Sequence, residues 1–322
     1  MRAVVISRNG GPEVLRVEEW PSPEPGPGQL LVEVAAGGVN FRDIYEREGA
    51  GGYGGPTPQI AGVEGAGRVR ALGEGVVGFT IGDRVAWIAA PGSHAEQVVV
   101  DAARAVPIPD EVSDELAAGS MMQGITAQYL SASAYAVRPG ETVLVHAAAG
   151  GVGGLLTQMV NLRGGRVIGT ASTEKKRALA RAHGADEVIG YESFGALVRE
   201  LTGGEGVAAV YDGIGKATFD ESLASLRPRG VMVLTGAVSG PVPPVDIGRL
   251  TAGALYLTRP TLGRYTASRE ELLERAGAVL GLVATGVLQI EIGGRYRMAE
   301  ARQAHEDLEG RRTAGKLLLL PQ

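Results

Sequence analysis

The apolar run VLVHA (143–147) passes straight into AAGGVGG (148–154) and from there into a stretch with helical spacing that reaches Arg163. A buried strand, a glycine-rich turn and a helix in that order form the phosphate turn of a dinucleotide site, and they commit the surrounding chain to an α/β unit. Gly150 lets the backbone approach a pyrophosphate, and Gly153 lets the helix sit close to the strand. The helix N-terminus then faces the negative charge, so Ala149, Gly150, Gly151 and Val152 are the expected contacts. The first glycine of the usual pattern is replaced by Ala148, which still permits a tight turn at negative φ. In a chain with 50 glycines the bare pattern is equally a strand-to-helix turn, and only its flanks favour the dinucleotide.

Beyond Arg163 the chain alternates regularly. Residues 166–170, 187–189, 208–211 and 230–234 read as strands, and 173–183, 194–202 and 218–226 as helices. This is the order of a parallel sheet wound on both faces. The first third differs, with short strands at 3–7, 15–18, 29–37, 66–71, 84–88 and 96–100 separated by turn signals, a pattern suggesting a β-rich, barrel-like domain. After about residue 262 the chain is expected to rejoin that first part, ending in a helix at 299–309 and a strand at 316–320. A length of 322 residues suits two domains, 1–122 with 262–322 and an inserted 123–261.

The choice of dinucleotide is read about 20 residues past the glycine turn, where an acidic side chain would hold the ribose hydroxyls of NAD. None stands there. The second strand ends in Ala171-Ser172-Thr173, followed by Glu174 and Lys175-Lys176-Arg177. A hydroxyl at Ser172 and a cation at Lys176 suit a 2′-phosphate, so NADPH is the expected cofactor. The plainer alternative is a solvated first helical turn carrying ordinary surface lysines.

Composition excludes several other classes. With 44% hydrophobic and 21% charged residues the chain is globular, and a formal charge of -5 without a basic run argues against a nucleic-acid partner. No apolar stretch reaches the roughly 20 residues of a membrane span, and the N-terminus lacks a secretory pattern, so a cytoplasmic location is expected. The chain contains no cysteine, which removes disulfides and every thiolate metal site. His94, His146, His183 and His305 lie in four separate elements without ligand-like spacing; His183 and His305 read as helix-surface residues, and no metal is expected. Neither a nucleophile elbow nor a cysteine nucleophile is present.

HAAAGGVG (146–153), GVNFRDIYEREG (38–49), GVEGAGRV (62–69) followed by GDRV (82–85), and the long segments 210–240 and 254–272 resemble the zinc-free quinone oxidoreductase, or ζ-crystallin-like, branch of the medium-chain dehydrogenase/reductase family. The resemblance covers nearly the whole chain. It implies a Rossmann doubly wound sheet inserted into a β-rich GroES-like barrel domain that carries the substrate site. The zinc alcohol dehydrogenases of the same superfamily place a cysteine where Asn40 stands and a histidine where Val63 stands. Without them no Lewis acid ionises an alcohol, and the chemistry left is reduction of acceptors that tolerate a hydride. Quinones and conjugated enones qualify.

The resemblance also assigns residues. Asn40 and Tyr45 would lie by the nicotinamide with Asp43 between them, Asn40 bonding the cofactor and Tyr45 holding or protonating the acceptor oxygen. Tyr45 on its own reads equally as a half-buried packing residue. Tyr53 would close over the pocket or serve as a plain surface loop residue. Thr126 matches the family's turn, and Gln123 stands where lysine is common. Tyr191 matches an adenine-stacking tyrosine. Gly213, Ile214 and Gly236 end strands on the ligand edge, Thr235 replaces a bulkier residue, and Arg259 and Arg311 fall at cofactor-side positions. The implied activity is NADPH-dependent reduction of a small quinone without flavin. Alternatives are reduction of activated alkenes, or a cofactor-binding structural or RNA-binding role with little turnover. The apolar segment 254–258 near the sheet edge predicts a homodimer.

Overall fold

The computed structural model describes residues 1–50 and 52–321. The chain forms two compact units, Met1–Met122 with Ser268–Gln322, and Gln123–Ala267.

The first unit opens with β1 (Arg2–Ile6), β2 (Leu15–Glu19), β3 (Gln29–Val39) and helix α1 (Phe41–Glu48). It continues through β4 (Gln59–Ile60), β5 (Glu64–Leu72), β6 (Arg84–Ile88), β7 (Gln97–Asp101), β8 (Ala105–Pro107) and the start of α2 (Asp114–Tyr129). The second unit holds β9 (Thr142–Val145), α3 (Gly151–Leu162), β10 (Arg166–Thr170), α4 (Glu174–Ala182) and β11 (Glu187–Ile189). It goes on with α5 (Phe194–Leu201), β12 (Val207–Asp212), α6 (Phe219–Ala224), β13 (Leu226–Leu234) and β14 (Tyr256–Thr258). The chain returns to the first unit for α7 (Arg269–Ala284), β15 (Ile292–Arg297), α8 (Ala301–Glu309) and β16 (Lys316–Leu320).

In the first unit β15-β16-β3-β5-β6-β8 form a sheet with β7 also on β3, and β2-β1-β4 form a second, smaller one. Apart from the parallel β15–β16 pair the strands run antiparallel, and alternation along β3 buries Leu30, Val32 and Val34. Those side chains meet Val85, Trp87 and Val100, and each fully buried aliphatic contributes about 1.5–3 kcal/mol.

The second unit is one parallel sheet in the order β11-β10-β9-β12-β13-β14. Successive strands run outward from β9 to β11, then start again at β12 on the other side of β9. With right-handed crossovers this reversal puts the helices on opposite faces and leaves a ligand crevice at the carboxyl ends of β9 and β12. The strand VAAVYD of β12 is buried throughout, as a central parallel strand must be. Tyr265 stacks on Tyr129 with ring centroids 4.3 Å apart, which fixes the last turns of this unit against α2.

Three local differences from the sequence reading have physical causes. The helix expected over 218–226 ends at Ala224, because Leu226 already pairs with Val207 at the start of β13. Residues 113–134, whose apolar and small residues recur at the spacing of a single helix, form α2 followed by a π turn, Leu130–Ala134, whose carbonyl at Leu130 accepts from Tyr211 Oη. His305 is fully buried rather than on the helix surface: it shares the inner face of α8 with Ala301 and Ala304. Among the described residues no helix is long and apolar enough to cross a membrane.

Candidate active site

Below the crevice of the second unit, β9 runs into the glycine turn and α3. Gly150 is the N-cap in extended conformation, and Gly151 opens the helix. The left-handed residue of the turn is Ala147, at φ 50°, and its carbonyl accepts from Gly150 N at 2.8 Å. The tight corner therefore lies one residue before Ala148, the position where the usual pattern has glycine. A Cβ on Gly153 would stand 2.3 Å from Ala147 O, and one on Gly150 3.1 Å from it. Only glycine lets strand and helix meet this closely. The first turn of α3 leaves backbone N–H groups without intrahelical partners, and donors of that kind suit a pyrophosphate.

Around this turn the structure gathers several expected residues. Ala149 is buried, and Val152 lies half-buried in the first turn of α3. Gln123, on α2, lies over Gly151: a Cβ there would meet Gln123 Cγ at 3.2 Å. Thr126 is half-buried on the same helix. Tyr191 Oη accepts from Ala147 N at 3.2 Å, and its ring stacks on His146 with centroids 6.0 Å apart. Ser172 is exposed at the end of β10, and Lys176 is half-buried in the first turn of α4, whose N-cap Thr173 accepts from Lys176 N. Gly213 and Ile214 follow β12. A Cβ on Gly236 would stand 2.8 Å from Gly213 O, and Thr235 N donates to Asp212 O at 2.7 Å, so the ends of β12 and β13 are packed backbone to backbone. Arg259 is exposed just past β14. In the first unit Arg311 is exposed at φ 53°.

The first unit carries the other candidates. Asn40 caps α1 and is 4% exposed; its Nδ2 donates to Glu64 Oε2 at 2.9 Å and to Gly38 O at 3.2 Å. Its Oδ1 accepts from Lys316 Nζ at 2.8 Å, and Lys316 is ion-paired with Glu64 at 2.5 Å. Glu64 Oε1 also accepts from Met122 N. Asp43 Oδ2 accepts from Asn40 N at 2.7 Å, so this carboxyl closes the start of α1. Half-buried Tyr45 lies on the same helix, its ring stacked on that of Tyr53 at 6.2 Å, and Arg42 sits 5.4 Å over Tyr53. Burial, with Glu48 and Tyr53 nearby, raises the Tyr45 phenol above its ordinary range and keeps it a proton donor. Glu64 and Lys316 are absent from the sequence candidates, as are Asp212 and Ser222 of the second unit. Each is a polar residue buried in or beside a strand.

Residues 26–110 match the alcohol dehydrogenase GroES-like domain family, and residues 151–277 the zinc-binding dehydrogenase family. A quinone oxidoreductase of Pseudomonas aeruginosa is 45% identical over 99% of both chains. The quinone oxidoreductase of Escherichia coli, solved in complex with NADPH, superposes with a TM-score of 0.96 at 38% identity and covers 100% of both chains. The chain belongs to the quinone oxidoreductases of the medium-chain dehydrogenase/reductase family. A 2-haloacrylate reductase of a Burkholderia species is also similar, 40% identical over 99% of both chains. For this quinone oxidoreductase family member the parallel unit is the Rossmann part and the antiparallel unit the GroES-like part.

Asp43 makes a pH prediction. Burial, opposed by the Asn40 N–H and Lys316, raises its carboxyl from 3.8 to about 7. A carboxyl raised on folding contributes stability that is fully present below the unfolded value and is lost as pH rises through the folded one. Asp43→Asn keeps an acceptor for Asn40 N but does not titrate. Urea denaturation should show the variant gaining on the parent by about 1–3 kcal/mol between pH 4 and 8. A difference independent of pH would mean that Asp43 is ionised throughout.

Proposed function

We propose that the protein transfers reducing equivalents from NADPH to a small quinone without metal or flavin. The observation that carries this is the glycine turn, in which a Cβ on Gly153 would stand 2.3 Å from Ala147 O and one on Gly150 3.1 Å from it, in a chain of this family. When bound, NADPH supplies the hydride, and the protein's part is binding, orientation and proton supply. Ala149, Gly150, Gly151 and Val152 receive the pyrophosphate. Ser172 and Lys176 take the 2′-phosphate, and Tyr191 stacks on adenine. Gly213, Ile214, Thr235 and Gly236 line the nicotinamide side, with Thr126 and Gln123 as polar neighbours and Arg259 and Arg311 as outlying cations.

In the substrate unit Tyr45 donates its hydroxyl proton to the acceptor oxygen, and Tyr53 covers the Tyr45 ring. Asn40 works through its fixed amide, and Asp43 through the helix start it closes. Zinc has no place here: the chain lacks cysteine, Val63 is buried and apolar, and the Asn40 amide is held by Lys316 and Glu64. We assign a homodimer formed along β14, an edge strand whose Tyr256 is 61% exposed. Light scattering that finds only monomer at micromolar concentration removes it.

The decisive assay follows anaerobic NADPH oxidation with 1,4-benzoquinone, a 9,10-quinone and an enone in parallel, repeated with NADH. Quinone turnover favouring NADPH is expected, and Tyr45→Phe should lower kcat/KM about tenfold or more. Enone turnover alone would favour the alkene reading that the 2-haloacrylate reductase relative supports. Tight NADPH binding with no turnover would favour the structural role.

A further inference from the structure

His146 is buried at the end of β9, and no step of the proposed reaction uses it. Its imidazole is neutral, because burial lowers it to about 4. A neutral imidazole donates from one nitrogen and accepts at the other, and its neighbours determine which. Nε2 lies 2.8 Å from Ser222 Oγ, and Nδ1 lies 3.0 Å from Thr170 Oγ1. Ser222 Oγ lies 2.9 Å from Asp212 Oδ2. Asp212 already accepts from Ile214 N at 2.8 Å, Gly215 N at 3.0 Å and Thr218 Oγ1 at 2.7 Å. An acceptor-only carboxylate requires Ser222 to donate to it, so Ser222 Oγ accepts from His146 and the imidazole proton is on Nε2. Nδ1 is then the acceptor and takes the Thr170 hydroxyl proton, which leaves Thr170 Oγ1 to accept from Ala147 N at 3.2 Å.

Every proton in this chain is thereby assigned. It runs one way, from the Ala147 amide through Thr170, His146 and Ser222 to the Asp212 carboxylate. At one end is Ala147, the left-handed residue that begins the glycine turn. At the other is the carboxylate that gathers the N–H groups of the turn 213–215. The two turns follow β9 and β12, adjacent strands on either side of the reversal in strand order, where an α/β sheet binds its ligand. A broken link leaves a buried polar group without its partner, and that loss is felt at both turns.

We propose that His146 and Ser222 are positioning residues for the dinucleotide, holding the pyrophosphate turn and the nicotinamide-side turn at a fixed spacing through a hydrogen-bond chain of single direction. The proposal rests on NADPH being the cofactor. It separates the halves of that cofactor, because Ser172 and Lys176, assigned to the adenosine 2′-phosphate, are not links of the chain; Tyr191 touches it only from the side, through Ala147 N and the His146 ring.

The test measures binding, not turnover. NADPH and 2′,5′-ADP are titrated by fluorescence and calorimetry against the parent, Ser222→Ala, His146→Leu and His146→Gln; ¹⁵N imidazole spectra of the parent locate the proton. Ser222→Ala and His146→Leu should weaken NADPH about tenfold and 2′,5′-ADP less than about twofold. His146→Gln, which keeps a donor near Nε2, should recover most of the loss. Should Ser222→Ala not fold, Thr170→Val breaks the chain at another link and carries the same test. An imidazole proton on Nδ1 overturns the proposal, as does NADPH binding unchanged in the folded variants, or equal weakening of both ligands. A parent that binds neither ligand would instead remove the NADPH reading, while the spectra would still report whether the chain runs as assigned.

Discussion

Replacing Lys316 by methionine is expected to lower the unfolding free energy by about 3–5 kcal/mol at neutral pH. The ammonium is 3% exposed and the Glu64 side chain fully buried, so neither charge has water to fall back on. Lys316 Nζ also holds Asn40 Oδ1, and Glu64 holds Asn40 Nδ2 and Met122 N. Removing the cation leaves a buried carboxylate with hydrogen bonds but no counter-charge. Its cheapest escape is to take up a proton, which raises its folded-state pKa above the unfolded one. The stability this recovers is present below the unfolded value and lost as pH rises, so the deficit of Lys316→Met should shrink as pH falls towards 5. Adding Glu64→Gln removes the charge but keeps the acceptor and should restore most of the loss. Urea denaturation of the parent, both single variants and the double variant at two pH values measures all of this. A deficit below about 1 kcal/mol at neutral pH would mean that the pair behaves as a solvated surface bridge.

This pair also shows where a single sequence stops being informative. The parallel unit is legible because each of its strands is a short apolar run and each helix a 3.6-residue pattern, and because VLVHA-AAGGVGG ties one strand to one helix. The strand order β11-β10-β9-β12-β13-β14 comes from the structure, since right-handed crossovers fix the face of each helix and not the point where the order reverses. Glu64 and Lys316 sit 252 residues apart, Lys316 in a segment that reads as an ordinary strand and Glu64 just before another, and charged residues are exposed by default. Their partnership exists only because β16 and β5 both flank β3. Helix α1 escapes the sequence reading for a related reason. The buried side of FRDIYERE carries Asp43, Glu46 and Arg47 beside a single aliphatic, Ile44, so apolar periodicity does not reveal it. His305 is a miss that the sequence could have prevented. Ala301, Ala304, His305 and Leu308 fall at i, i+3, i+4 and i+7, the spacing of an inner face.

In the site the same division holds. Gly150 and Gly153 are assigned from sequence, and in the structure a Cβ on Gly153 would stand 2.3 Å from Ala147 O, so strand and helix are packed there as closely as the sequence reading requires of Gly153. Tyr191, expected as an adenine platform, has a contact that no motif announces: its hydroxyl accepts from the amide of Ala147. Asn40, expected as a cofactor contact, has its amide bound on both sides by a buried ion pair. His146 reads in the sequence only as a residue that binds no metal. Its relation to Thr170, Ser222 and Asp212 spans three strands and a helix, and periodicity carries no trace of such a network.

Gly153→Ala should be the most damaging single-methyl change in the second unit, with NADPH affinity falling about 100-fold and stability about 2–4 kcal/mol. The added Cβ would stand 2.3 Å from Ala147 O and 2.9 Å from both Ala147 C and Ala148 Cα, all of them backbone atoms. No rotamer relieves a clash with backbone, so either α3 or the turn must move. The turn has little freedom to do so: Ala147 is already left-handed at φ 50°, its carbonyl holds Gly150 N, and its amide is held by Thr170 and Tyr191. Moving α3 instead carries its N-terminal N–H groups away from the pyrophosphate they are to receive. The control is the same substitution in α7, where Gly277 and Gly281 have nothing within 4 Å of a built Cβ. There alanine should stabilise by about 0.5–1 kcal/mol through helix propensity and leave NADPH binding alone. Urea denaturation and fluorescence titration of the three variants read both quantities. A Gly153→Ala protein that binds NADPH within about threefold of the parent would show that the glycine turn does not hold the cofactor where this structure puts it.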